Sequence, residues 1–170
     1  MTSSFVQANE KYAANFSKPD GSGFKNYMII ACCDPRIDPE SQLGIKSGEA
    51  VIIRNAGGSA IDALRSIIVP QHAIGVTGEI AVFHHTDCGM TKVTTPAMRE
   101  MLKKANPDRQ DVAATVDGME FYEICDVEQS VRADVDFLAE NALILRGTRI
   151  CGWVYDVETG RIEKIVERVA

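Results

Sequence analysis

The stretch Tyr27-Met28-Ile29-Ile30-Ala31-Cys32-Cys33-Asp34-Pro35-Arg36 decides the fold. Its first seven residues are apolar without a break, the pattern of a short strand covered on both faces. Strands of that kind belong to parallel sheets, and parallel neighbours need a crossover between them. Two similar runs follow, Ala50-Val51-Ile52-Ile53-Arg54 and Ile80-Ala81-Val82-Phe83-His84-His85. Helical patterns lie between and after them. Ser59 reads as an N-cap with Asp62 three residues on, and Ile61, Leu64, Ile67 and Ile68 form one stripe. Pro70 is expected to end or kink that helix. Thr95-Pro96 opens another helix, and residues 106–118 read as a loop. Asp126, with Gln129 three on, opens a helix carrying Val127, Val131, Val135 and Leu138. Strands over 150–155 and 161–166 flank Glu158-Thr159-Gly160, a hairpin turn in which glycine supplies positive φ.

Ahead of the first strand, residues 1–16 show a helical pattern with Phe5, Ala8, Tyr12 and Phe16 on one side. Lys18-Pro19-Asp20-Gly21-Ser22-Gly23 breaks it. The whole order predicts a single α/β domain over residues 1–170. It is built on a mostly parallel central β-sheet with one antiparallel edge strand and helices on both faces. In such sheets ligands bind beyond the carboxyl ends of the strands. Chemistry is therefore expected at residues 32–38, 54–59 and 84–90.

Composition narrows the partners. Eighteen Lys and Arg against twenty-four Asp and Glu leave a net charge of −6, which argues against nucleic acid or an anionic membrane. No run approaches the ~20 apolar residues of a membrane-spanning helix. Met1-Thr2-Ser3-Ser4-Phe5 lacks the basic and apolar character of a secretion signal, so a cytoplasmic, reducing setting is expected. There the five cysteines, Cys32, Cys33, Cys88, Cys125 and Cys151, suit metal or redox chemistry better than disulfides.

Two motifs fall at the expected places: Cys32-Cys33-Asp34-Pro35-Arg36 and His85-Thr86-Asp87-Cys88-Gly89. Alternation along a strand lets at most one of Cys32 and Cys33 face a given pocket. Two thiolates and one imidazole suit zinc, with a fourth tetrahedral position left open as in catalytic sites. Cys32, Asp34 and Arg36 share one side of an extended chain, so a carboxylate and a guanidinium accompany the metal. Arg36 can hold Asp34 ionised and aimed. Zinc lowers the pKa of its water to roughly 7, and Asp34 could accept that water's hydrogen. Such a set attacks a small carbonyl-like carbon.

Cys-x-Asp-x-Arg followed by His-x-x-Cys, with Arg54-Asn55-Ala56-Gly57 between them, resembles the β-class carbonic anhydrase family, in particular its compact subgroup. The resemblance implies Cys32, His85 and Cys88 as zinc ligands and Asp34 with Arg36 as the catalytic pair. It implies reversible hydration of carbon dioxide to bicarbonate. It also implies a homodimer or dimer of dimers, with the N-terminal helix packed on the partner. Relatives that hydrolyse carbonyl sulfide or carbon disulfide make that the competing activity. A thiol redox or sulfur-transfer protein and a non-catalytic metal-bound module are more distant readings.

The remaining chemistry-bearing residues have plainer roles. Cys125 and Cys151 read as small buried hydrophobes, and Cys33 as pointing into the core or toward a partner. His84 is expected to face away from His85 as a packed or hydrogen-bonded histidine, and His72 to lie on the surface. Asp87 reads as solvated or as a supporting group. Gly57-Gly58-Ser59 could cradle an anion, but close backbone approach explains those glycines better.

Overall fold

The structure, a computed structural model, describes residues 2–18 and 23–170. The breaker at 19–22 lies outside the described residues. Strands β1 (Tyr27–Cys32), β2 (Val51–Asn55), β3 (Glu79–His85), β4 (Arg149–Tyr155) and β5 (Ile162–Val169) form one sheet in the order β2-β1-β3-β4-β5. The first four are parallel and β5 runs antiparallel to β4 at the edge. Helices are α1 (Thr2–Ala14), α2 (Pro39–Leu43), α3 (Ala60–Ile74), α4 (Thr95–Ala105), α5 (Gln110–Asp117) and α6 (Val127–Glu140).

The unbroken apolar runs are explained by two cores. On one face, Met28, Ile30, Ile80, Val82 and Ile150 of the strands meet Ala63 and Ile67 of α3 and Val131, Val135 and Leu138 of α6. On the other, Ile29, Ala31, Cys32 and Ala81 meet Ile37, Ile45, Cys88 and Ile124, with Leu43 of α2 alongside. Both faces are thus covered, as the parallel arrangement requires.

One buried polar group ties the first core together. Asp134 of α6 accepts from the backbone N–H of Ala60 at 2.8 Å and lies 3.2 Å from Nε2 of His84. A carboxylate at the first turn of α3 satisfies an otherwise orphaned donor and complements the helix dipole. His84 is therefore the packed, hydrogen-bonded histidine expected. His72 is exposed, with Nε2 3.0 Å from the carbonyl of Leu143.

Three expectations are corrected. Of the two outcomes expected at Pro70, an end of the helix does not occur: α3 runs a further turn to Ile74 before Gly75 caps it at φ 82°. Proline removes a single amide donor from the helix, and both its ring and the neighbouring Gln71 are buried. Residues 106–118 are not all loop, since α5 occupies Gln110–Asp117; its only buried side chain is Val116, so it shows no broad apolar stripe. Cys125 is exposed rather than buried, and Cys33, also exposed, does not point into the core of its own chain, whereas Cys151 is buried as expected. The hairpin turn stands: Asp156 Oδ1 accepts from the amides of Glu158 and Thr159, and Gly160 has φ 70°.

Helix α6 rests on β4 at Gly152. A Cβ there would collide with Val131 and lie 2.8 Å from Val166 Cγ1 and 2.9 Å from Val135 Cγ2. Gly152→Ala is expected to lower unfolding free energy by about 1–3 kcal/mol, the usual range for overpacking. Urea denaturation of the two proteins measures it.

Candidate metal centre

Strands β1 and β3 are parallel neighbours, with Ala31 in register with Phe83. Their carboxyl ends therefore emerge side by side, Cys32 closing one and His85 the other. Beyond β3 the chain turns through Thr86 and Asp87, the latter in the left-handed region at φ 51°, and returns Cys88 toward β1. Cys32 Sγ and Cys88 Sγ lie 3.9 Å apart. A ring nitrogen of His85 joins them, all three donor atoms falling within 4.8 Å of one another. All three residues are buried.

The donor chemistry fits a metal. Nδ1 of His85 lies 2.9 Å from the carbonyl of Thr86, an acceptor that assigns the proton to Nδ1. Nε2 is then a lone-pair donor, buried and without a hydrogen-bond partner. The sulfurs show the same need. Cys32 is drawn down to about 3, first by its hydrogen bond with Cys88, then by His85 and the Asp34 and Gly57 amides, against the opposing effect of burial. Cys88 is pushed far up by Cys32 and by burial. Two buried sulfurs this close share one negative charge between them, and a divalent cation lets both carry it. His85 is raised overall: burial, the largest effect, lowers it, but Cys32 and the Thr86 carbonyl together outweigh that.

Beside the trio, Arg36 grips Asp34. Its backbone amide and Nε donate to Oδ1 at 2.9 and 3.0 Å, and Nη2 donates to Oδ2 at 2.9 Å. These bonds hold the Asp34 carboxyl well below the usual carboxylate range. The opposite edge of the guanidinium meets Asp87, whose carboxyl is held at about 2 by Lys92 and Arg36.

Two further residues support the motif, of which only Gly58 had its role read from the sequence. Arg54, at the end of β2, donates from Nε to the Cys32 carbonyl at 3.0 Å and from Nη2 to the Asp34 carbonyl at 2.8 Å. It fixes the backbone that carries the first motif. The sequence placed Arg54 in the segment expected to carry chemistry, without indicating these contacts. Gly58, at φ 75°, passes so close to the sheet that a Cβ would lie 2.9 Å from the Phe83 carbonyl oxygen and 3.1 Å from Cys32 N. Close approach, as expected, is what requires glycine there. Cys33 and Cys125 take no part in the trio.

The architecture and this trio define a class of metal-binding α/β proteins, and comparison identifies it. A family model described as carbonic anhydrase matches residues 27–162. The chain belongs to the β-carbonic anhydrase family. It is 34% identical to β-carbonic anhydrase 1 of Mycobacterium tuberculosis over 168 residues, 97% of this chain and 98% of that protein. It is 31% identical to a carbon disulfide hydrolase of Acidithiobacillus thiooxidans over 154 residues, 81% of this chain and 76% of that one. Among solved structures, a carbonic anhydrase from Glaciozyma antarctica superposes with a TM-score of 0.85 at 39% identity, covering 94% of this chain and 95% of that one.

Cys88→Ser is expected to abolish stoichiometric uptake of a divalent ion and to lower stability with it, because metal binding couples to folding. Elemental analysis after dialysis against zinc, beside thermal unfolding, reads both.

Proposed function

We propose that the protein is a zinc enzyme that reversibly hydrates carbon dioxide to bicarbonate. The observation that carries the reading is the trio of buried donors with an arginine-held carboxylate beside it. Cys32, His85 and Cys88 would hold zinc, the borderline-soft ion that two thiolates and an imidazole suit. Zinc held by these three residues would supply Lewis-acid activation of a water as the nucleophile.

The chain's own residues do the rest. Asp34 Oδ1 is saturated by two donors from Arg36, whereas Oδ2 accepts only one and keeps a lone pair for the reacting water. Being held ionised, Asp34 acts as a hydrogen-bond acceptor that orients the water, and not as a base that stores its proton. Arg36 fixes the direction of that acceptor, and Arg54 fixes the backbone beneath it.

Carbon disulfide or carbonyl sulfide hydrolysis is the second reading. It is favoured by the relatives named carbon disulfide hydrolase, some of them matched over nearly their whole length, whereas the relatives named β-carbonic anhydrase 1 are matched at higher identity. Sulfur and oxygen analogues are both linear, and the same nucleophile attacks either carbon.

The same reading makes the protein a homodimer or dimer of dimers in the cytoplasm, acting on a small molecule without nucleic acid or membrane. Helix α1 supports the dimer. Among the described residues it makes no extensive contact with the other elements, and it leaves Phe5, Val6 and Tyr12 exposed, with Phe16 just beyond it. Five free cysteines suit a reducing compartment, and no helix among the described residues is long and apolar enough to cross a membrane.

Stopped-flow hydration on zinc-loaded protein tests the activity. A rate well above buffer is expected, and Asp34→Asn should lower kcat by about 100-fold while zinc content is unchanged. Sulfide release from carbon disulfide and carbonyl sulfide, measured on the same preparation, ranks the substrates; sulfide release without hydration would displace carbon dioxide. Phe5→Ser combined with Tyr12→Ser is expected to shift the protein to monomer in sedimentation velocity.

A further inference from the structure

Asp87 lies between two members of the trio, yet its side chain points away from the sulfurs to the guanidinium of Arg36. Its left-handed backbone, φ 51°, brings both its carbonyl and its carboxylate to bear on that one group. Arg36 Nη2 donates to the Asp87 carbonyl at 2.9 Å and Nη1 to Oδ2 at 2.9 Å. Lys92 Nζ donates to the remaining oxygen, Oδ1, at 2.7 Å. The other edge of the guanidinium is taken by Asp34. Arg36 is therefore gripped from two sides by carboxylates on two different loops, one following β1 and one following β3. A rigid planar fork is the group suited to such a double grip.

We propose that Asp87 is a positioning residue acting through Arg36, an inference that rests on the function proposed above. It keeps the guanidinium in the plane that aims Asp34, and it fastens the loop of Cys32 to the loop of Cys88. Stability is not its role. The Asp87 and Arg36 side chains are 53% and 45% exposed, and exposed pairs add at most about 1 kcal/mol. Geometry is the role, and a misplaced catalytic group costs rate steeply even when little stability is lost.

Asp87→Asn tests this, since asparagine tolerates the left-handed backbone while removing the charge. Arg36→Gln and the double variant complete a cycle. Four quantities are read: the thermal midpoint, the rate at which zinc passes to excess chelator, and kcat and KM for hydration. Asp87→Asn is expected to keep the midpoint within a few degrees, to release zinc several-fold faster, and to lower kcat about tenfold with KM within about twofold. In the Arg36→Gln background it should add little to either zinc release or kcat, the non-additivity of residues acting as a unit. Equal effects in both backgrounds, or no effect in the wild-type background, would overturn the proposal. If Asp87→Asn fails to fold, Lys92→Met removes only the outer tether; about a twofold change in the same direction is expected, and no change overturns the proposal. A wild-type chain that holds zinc without hydrating carbon dioxide sinks the proposed activity alone, because zinc release still judges the clamp. One that holds no zinc sinks both.

Discussion

Two buried sulfur atoms 3.9 Å apart, with a buried ring nitrogen beside them, form an arrangement that the protein must hold against its own electrostatics. Bringing a second negative charge there in a poorly solvated setting is costly, which is why Cys32 and Cys88 shift in opposite directions. The imidazole of His85 completes the set with a lone pair that no hydrogen atom satisfies. Each of these features is unfavourable in the chain alone, and one metal ion held by the three donors would relieve all of them. The rest of the structure can be understood as scaffolding that keeps the three donors together.

That scaffolding begins with sheet order. The chain leaves β1 toward β2 on one side and leaves β3 toward β4 on the other, so the loops after these two neighbouring strands diverge at their carboxyl ends. Such a reversal opens a crevice between the loops, the ordinary ligand position of an open α/β sheet. Two further residues from the end of β2 reach the crevice. Arg54 anchors the carbonyls of Cys32 and Asp34, and Gly58 lets the chain cross within contact distance of the backbones of β1 and β3. Asp134 then fastens the first turn of α3 to α6 and to His84, on the face of β3 opposite His85. Placement of the site is thus continuous with the packing of both cores.

Much of this was legible because it depended on periodicity and spacing. Buried strands announce themselves as apolar runs, capped helices as Ser59 with Asp62 or Asp126 with Gln129, and the trio as two short motifs at strand ends. What was missed lacked such signals. Helix α2 is only five residues long; Asp38 caps it and Pro39 opens it, but no stripe can develop over so short a span. α5 has no side-chain cap at Arg109 and buries one residue. Cys33 and Cys125 were assigned by the general habit of free cysteine, which is blind to the loop that carries each. The contacts of Arg54 and Asp87 are tertiary, made to backbone and side chains of other segments, and no local pattern encodes them.

The charges around the trio and the residues beneath them obey different energetics. Asp34, Arg36, Asp87 and Lys92 form a chain of ion pairs in which only Asp34 is largely shielded, its side chain 16% exposed. Pairs in that position contribute little to folding. Gly58 and Asp134 are different: one sits where a methyl group meets backbone, and the other satisfies buried donors that would otherwise be orphaned. Changing the first group alters where a carboxylate points, while changing the second alters whether the loops are held at all. The separation has a physical cause. Direction is set by hydrogen bonds at the solvent edge, where their loss is cheap in stability, and spacing is set in the interior, where loss is not.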